Sequence, residues 1–281
     1  MSEYTIPITR PSSVAPQTTN SSVASNQTTT YPTEWIDLPS GGYFYQENHP
    51  LSSGKVEVKT MTAREEDILT NSNFIKNGVV LDRLLESVLI DKNIKINDFL
   101  VGDKNAVFVA LRRLAYGDNY GPLSIKCPTC REDNKDVVIN LNELKYKEVN
   151  TQTFIKNLNE FEFVLPTSKK KITFKILTGK DENDIEAEIK TSQKLKLPSS
   201  ELTTRLRVCM VSVDDNTDKQ YIRKFVENEL LTRDSLALRT YMQLITPNID
   251  MNFNFTCSHC GSEDKIGVPL TAAFFWPDSA R

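Results

Sequence analysis

The sequence predicts an α+β protein, with a mostly helical body inserted into a small β element that is split in two. A disordered arm at residues 1–30 is expected to precede it. Three observations carry this. Two cysteine pairs, Cys127-Pro-Thr-Cys130 and Cys257-Ser-His-Cys260, each lie between short extended stretches, and 126 residues separate Cys130 from Cys257. The chain around and between the pairs carries much of its apolar content at helical spacing. Residues 11–30 contain neither a charge nor an aromatic.

A segment as polar and uncharged as 11–30 cannot bury enough apolar surface to offset its ordering entropy. It reads as a floppy tail or as an arm that orders against a partner. Residues 35–45, Trp-Ile-Asp-Leu-Pro-Ser-Gly-Gly-Tyr-Phe-Tyr, read as turns punctuated by aromatics, and residues 56–59 alternate like a strand. Thr62 stands three residues before Glu65, the spacing of a capping box, and opens a helix through Ile68 and Leu69. That placement accounts for the acidic run Glu65-Glu-Asp67, because carboxylates favour a first helical turn. After Gly78, the residues Val80, Leu81, Leu84, Leu85, Val88 and Leu89 form an apolar stripe. Asp103 is expected to cap a third helix, which carries Val107, Ala110, Leu111 and Leu114 and ends at Gly117.

Residues 161–165 and 172–177 flank a charged loop and predict a β-hairpin. Helical patterns follow near 181–196, then from Ser200 through Leu202, Leu206, Cys209, Met210 and Val213. A third runs over about 219–245 with a break near Thr232, and Pro247 ends it. Ile249, Met251, Phe253 and Phe255 alternate as a strand leading into the second cysteine pair. The expected organisation is therefore an arm (1–30), an α-rich region (31–121), the first half of the β element (122–148), an inserted hairpin with helices (149–247), and the second half with an aromatic tail (248–281).

Two thiolates two residues apart fit one tight turn, and two such turns complete the four sulfur ligands of a closed structural zinc site. The arrangement reads as a zinc ribbon with a large insertion, held by Cys127, Cys130, Cys257 and Cys260. No cationic start with an apolar stretch opens the chain, so a reducing cytosolic folding environment is expected; paired cysteines there read as metal ligands before disulfides. No thioredoxin-like βαβ pattern surrounds either pair, which disfavours redox dithiols. His259 suits a solvent-facing turn position, and Cys209 sits on an apolar helical face as a core residue.

Composition narrows the function classes. The net charge is −3 with 25% charged residues, so the basic excess of a nucleic-acid binder is missing. No apolar run approaches the ~18 residues of a membrane span. Four thiolates leave a metal no open position for activating water, only two histidines are present, and no Walker or Gly-x-Gly-x-x-Gly loop appears. The expectation is a non-enzyme without a small-molecule substrate. Phe274, Phe275 and Trp276 are three consecutive aromatics, of which one core can take two at most. They either close over their own core or dock into a partner, with Trp276 as the anchor.

Residues 38–45 (Leu-Pro-Ser-Gly-Gly-Tyr-Phe-Tyr), His49-Pro-Leu with Gly54, and Met61-Thr-Ala-Arg-Glu-Glu-Asp-Ile-Leu-Thr resemble the family of baseplate hub proteins and hub-assembly factors of T4-like contractile-tailed phages. Ile90-Asp-Lys-Asn-Ile, Leu100-Val-Gly-Asp-Lys-Asn-Ala and Tyr116-Gly extend the likeness, which is looser down to Phe274-Phe-Trp-Pro. The resemblance implies a protein that acts by contacts with other tail proteins, located in the virion baseplate and, during assembly, in the host cytoplasm. The alternative is a zinc-ribbon viral protein associated with nucleic acid, such as a transcription factor, in which Lys169-Lys-Lys171 would contact phosphate.

Overall fold

The computed structural model describes residues 31–275 apart from 197 and 199. The arm at residues 1–30 and the tail from Trp276 lie outside the described residues. Strand β1 (Thr33–Asp37) pairs antiparallel with β2 (Lys55–Lys59). The sequence hides β1 because Ile36 alone among its side chains is buried, so no alternation shows. The loop between them folds back on itself, and a Cβ on Gly54 (φ +75°) would sit 2.6 Å from the Gly41 carbonyl oxygen. Only glycine fits that approach.

Helix α1 (Ala63–Thr70) opens with the expected capping box: the Thr62 N–H and hydroxyl donate to the Glu65 carboxylate at 2.8 and 2.7 Å. Helices α2 (Ser72–Asn77) and α3 (Val80–Val88) follow, and α3 buries Val80, Leu84, Leu85 and Val88. The long α4 (Val101–Tyr116) runs through the core. It begins before Asp103, which is therefore not its cap. The Asp103 carboxylate instead accepts from the Ser40 N–H (2.9 Å), the Ser40 hydroxyl (2.7 Å) and the Tyr45 hydroxyl (2.7 Å), clamping the aromatic loop onto α4. Burial raises its pKa despite these three donors.

Strands β3 (Asn119–Lys126) and β4 (Asp133–Asn140) form an irregular hairpin. Strands β5 (Phe161–Val164) and β6 (Lys171–Phe174) form the expected second hairpin. Helix α5 (Gly179–Lys194) starts from a capping box between Thr178 and Asp181, and α6 (Glu201–Cys209) follows. The helix expected to continue through Val213 stops at Cys209, and β7 (Met210–Val213) pairs with the open edge of β6. Val-Ser-Val favours an extended pleat, and the free edge supplies its backbone partners. Helix α7 (Lys219–Lys224) passes through a π-helical turn at Phe225–Glu229 before α8 (Thr232–Ile245), matching the expected break. Strands β8 (Asn252–Thr256) and β9 (Glu263–Gly267) make the last hairpin.

The protein thus combines helices with small antiparallel sheets. One large core is shared by α3, α4, α6, α8 and the β5–β6–β7 sheet, while a separate small cluster of Cys127, Phe255 and Cys257 lies between the two cysteine hairpins. The roots of those hairpins are stitched together: Tyr146 bridges Ile249, the Lys147 N–H donates to the Asn248 carbonyl, and the Asp250 N–H to the Lys145 carbonyl, both at 2.8 Å. The chain therefore leaves and re-enters the region at one place. No helix among the described residues is long and apolar enough to cross a membrane.

Candidate metal centre

The tips of β3–β4 and β8–β9 repeat one another bond for bond. In the first, the Cys127 N–H donates to the Glu132 carbonyl (2.9 Å) and the Arg131 N–H to the Cys127 carbonyl (3.0 Å); in the second, Cys257 bonds Ser262 and Gly261 bonds Cys257, both at 2.9 Å. The residue after each second cysteine is left-handed, Arg131 at φ 63° and Gly261 at φ 70°. This turn aims two sulfurs and the intervening amides to one side.

All four sulfurs converge within 4.8 Å of one another. Cys127 Sγ lies 3.8 Å from Cys260 Sγ, and Cys130 Sγ 3.7 Å from Cys257 Sγ. A tetrahedron whose corners stand about 2.3 Å from its centre has edges of about 3.8 Å, so the donor set fits a tetrahedral thiolate-bound ion. Cys127 and Cys257 are buried, Cys130 is half-buried and Cys260 exposed.

Polar neighbours feed this cluster. The Ser262 hydroxyl lies 3.3 Å from Cys127 Sγ and 3.2 Å from Cys260 Sγ. That hydroxyl and the Cys130 and Thr129 amides bring the Cys127 thiol down to about 6. Burial works against the Cys257 thiolate, but the Cys260 amide and the Asn134 side chain hold it below the ordinary thiol range. The Glu132 amide favours the Cys130 thiolate, yet burial and the three surrounding sulfurs push it up to about 12. Sulfurs this close cannot all ionise without a cation between them.

A model of the family described as T4 bacteriophage base plate protein matches residues 36–276, a span that includes both cysteine pairs. The chain belongs to this family. No curated protein and no solved structure gives a significant match.

In this base plate protein the four expected ligands come together, while the other candidates lie elsewhere. Cys209 is buried in the large core, bonded to the Leu206 carbonyl at 3.1 Å, and desolvation pushes its thiol up to about 12. His259 is exposed. Lys170 faces Asp214 and Glu229, and Lys171 pairs with Glu162 at 2.7 Å, so two of the three hairpin lysines are engaged by carboxylates. Phe274 and Phe275 are 0% and 1% exposed, packed against Tyr120 and Phe108. Both rings lie in the large core; Trp276 lies outside the described residues.

Sequence reasoning missed Asn134, Ser258 and Ser262. The one available signal is that Asn134 stands in an inward strand position, where an apolar residue is the usual occupant.

Proposed function

We propose that this chain is a non-enzymatic structural or assembly protein of the hub region of a T4-like phage baseplate, held in shape by one zinc ion. Cys127, Cys130, Cys257 and Cys260 would hold the metal as the two knuckles of a split zinc ribbon, into which residues 149–247 are inserted. The observation that carries the zinc reading is the pair of sulfur separations, 3.8 and 3.7 Å, at the edge length of a zinc–thiolate tetrahedron. A closed four-sulfur site fixes shape and activates no water. Function then rests on contacts with other tail proteins in the virion baseplate, which family membership supports, and we extend the same reading to the host cytoplasm during assembly.

Elemental analysis of protein purified without added metal should find close to one zinc per chain. A folded, metal-free preparation would remove the zinc reading. Cys127→Ser or Cys260→Ser should lower the melting temperature, since binding free energy at such sites is folding free energy. Mass spectrometry of purified virions tests the location: a fixed copy number per tail marks a permanent hub part, and presence only in assembly intermediates marks a transient factor. Co-purification with neither would overturn the baseplate role.

A further inference from the structure

Apart from the metal centre, a groove of ≈ 840 Å³ opens between α6, α8 and the stitched segments 145–147 and 248–252. Its floor is aliphatic and thioether: Leu177, Leu206, Met242 and Met251. Its rim carries Lys145, Lys147, Arg205 and Arg239 against a single carboxylate, Asp250. Arg205 is already compensated by Glu182 (2.7 Å) and Glu201 (3.2 Å).

The other three cations are not. The Lys147 ammonium rests on the Gln243 and Thr246 carbonyls at the end of α8, and Arg239 Nε on the Ser235 carbonyl at 3.3 Å. Lys145 is exposed, and none of the three has a carboxylate partner among the described residues. Asp250 spends its Oδ1 on the Asn252 N–H (3.0 Å) and side-chain amide (2.7 Å). An apolar trough is therefore ringed by three cations without a carboxylate partner of their own, against the single carboxylate of Asp250.

We propose that this groove docks an apolar segment of another protein that carries carboxylates, its aliphatic side chains seated on Met242 and Met251 and its acids meeting Lys145, Lys147 and Arg239. The proposal rests on reading the chain as one that works by protein contacts. Thioether side chains adapt their shape to such a guest, and charge complementarity selects its sign and register. Single-stranded nucleic acid is the lesser fit, because it needs aromatic faces to stack on. The one aromatic in the lining is Tyr146, whose hydroxyl is tied to the Asp37 carbonyl at 2.7 Å. Segments 145–147 and 248–250 also join the roots of the two cysteine hairpins through their backbone bonds.

The test uses the full-length protein and three fluorescent probes: an amphipathic peptide of about twelve residues built from leucine and glutamate, its leucine–lysine counterpart, and a dT12 oligonucleotide. The acidic peptide should bind at least about tenfold tighter than the basic one, a gap of ~1.4 kcal/mol, and weaken with salt. Lys145→Glu with Arg239→Glu should reverse the preference; Lys145→Gln with Arg239→Gln should abolish it, and the melting temperature of each variant reports its folding. Equal binding of the two peptides, a preference unmoved by charge reversal in folded variants, or tighter binding of dT12 would each overturn the proposal. No baseplate component enters this assay, so its failure leaves the baseplate role standing, and absence from tails leaves the peptide result standing.

Discussion

Asn134 reaches across from one cysteine hairpin to Cys257 on the other: its Nδ2 lies 3.4 Å from the Cys257 sulfur, while its Oδ1 accepts from the Ser258 N–H at 2.7 Å and the Ser258 hydroxyl at 2.8 Å. A single neutral side chain thus fastens the two hairpin tips and donates toward a sulfur of the cluster. Asn134→Ala is expected to destabilise the protein by about 1–3 kcal/mol, because the part-buried Ser258 N–H and hydroxyl lose their acceptor. It should also speed zinc loss to a competing chelator by about tenfold, the lower range for groups that support metal ligands. If chelator kinetics match wild type while stability falls, Asn134 is a fastener and no more.

Asp264 holds the position in the second hairpin that Asn134 holds in the first, four residues after the second cysteine, and Pro128 replaces Ser258. Proline has no N–H to give, and Asp264 Oδ2 is buried without a hydrogen-bond partner among the described residues. Asp264→Asn replaces the unpartnered carboxylate oxygen with a group that can donate. A higher melting temperature and slower metal loss are expected; a drop in both would mean that the carboxylate has a favourable role.

Glu65 supplies a pH signature. Burial resists its charge, but bonds from the Lys59 ammonium (2.7 Å), the Thr62 hydroxyl and the Thr62 N–H hold its carboxyl below the usual range. A depressed pKa adds stability that is present above the unfolded value of about 4.3 and fades as the pH falls through the folded one. Urea titrations at descending pH should show wild type converging on Glu65→Gln below about pH 4. Parallel curves across that window would remove the ionic role.

Gly102, on α4, lies against the Pro247 carbonyl, where a Cβ would overlap the backbone. Gly102→Ala should cost about 3 kcal/mol, the upper range for overpacking. Differential scanning calorimetry measures it, and an unchanged melting temperature would show that α4 can shift away from residues 247–248.

These sites differ in how much of them a sequence can carry. The cysteine pairs declare themselves because ligand chemistry demands one residue type at one spacing, and the capping box at Thr62 does so because both its members are local. Asp103 misleads for the opposite reason: its position suits a helix cap, but its partners Ser40 and Tyr45 lie about sixty residues away, where no local pattern reaches. Strand β7 was hidden inside a helical pattern because Leu206, Cys209, Met210 and Val213 face one core in either conformation. The edge of β6 decides between them. Asn134 and Ser262 are ordinary polar residues until the second hairpin arrives beside the first.

Phe274 packs on Tyr120 at 5.1 Å between ring centroids. Phe274→Ala should cost about 3–5 kcal/mol of stability. For Trp276, the docking reading expects Trp276→Ala to leave thermal unfolding nearly unchanged and to reduce entry into baseplate complexes. A loss of stability as large as that of Phe274→Ala would end that role.

The 126 residues between Cys130 and Cys257 also set a clock. At translation rates of about 5–20 residues per second, the first thiol pair waits roughly 6–25 s for its counterpart to be made. Throughout that interval the nascent chain offers half a site, open to stray metals, oxidants or the cysteines of a neighbouring chain.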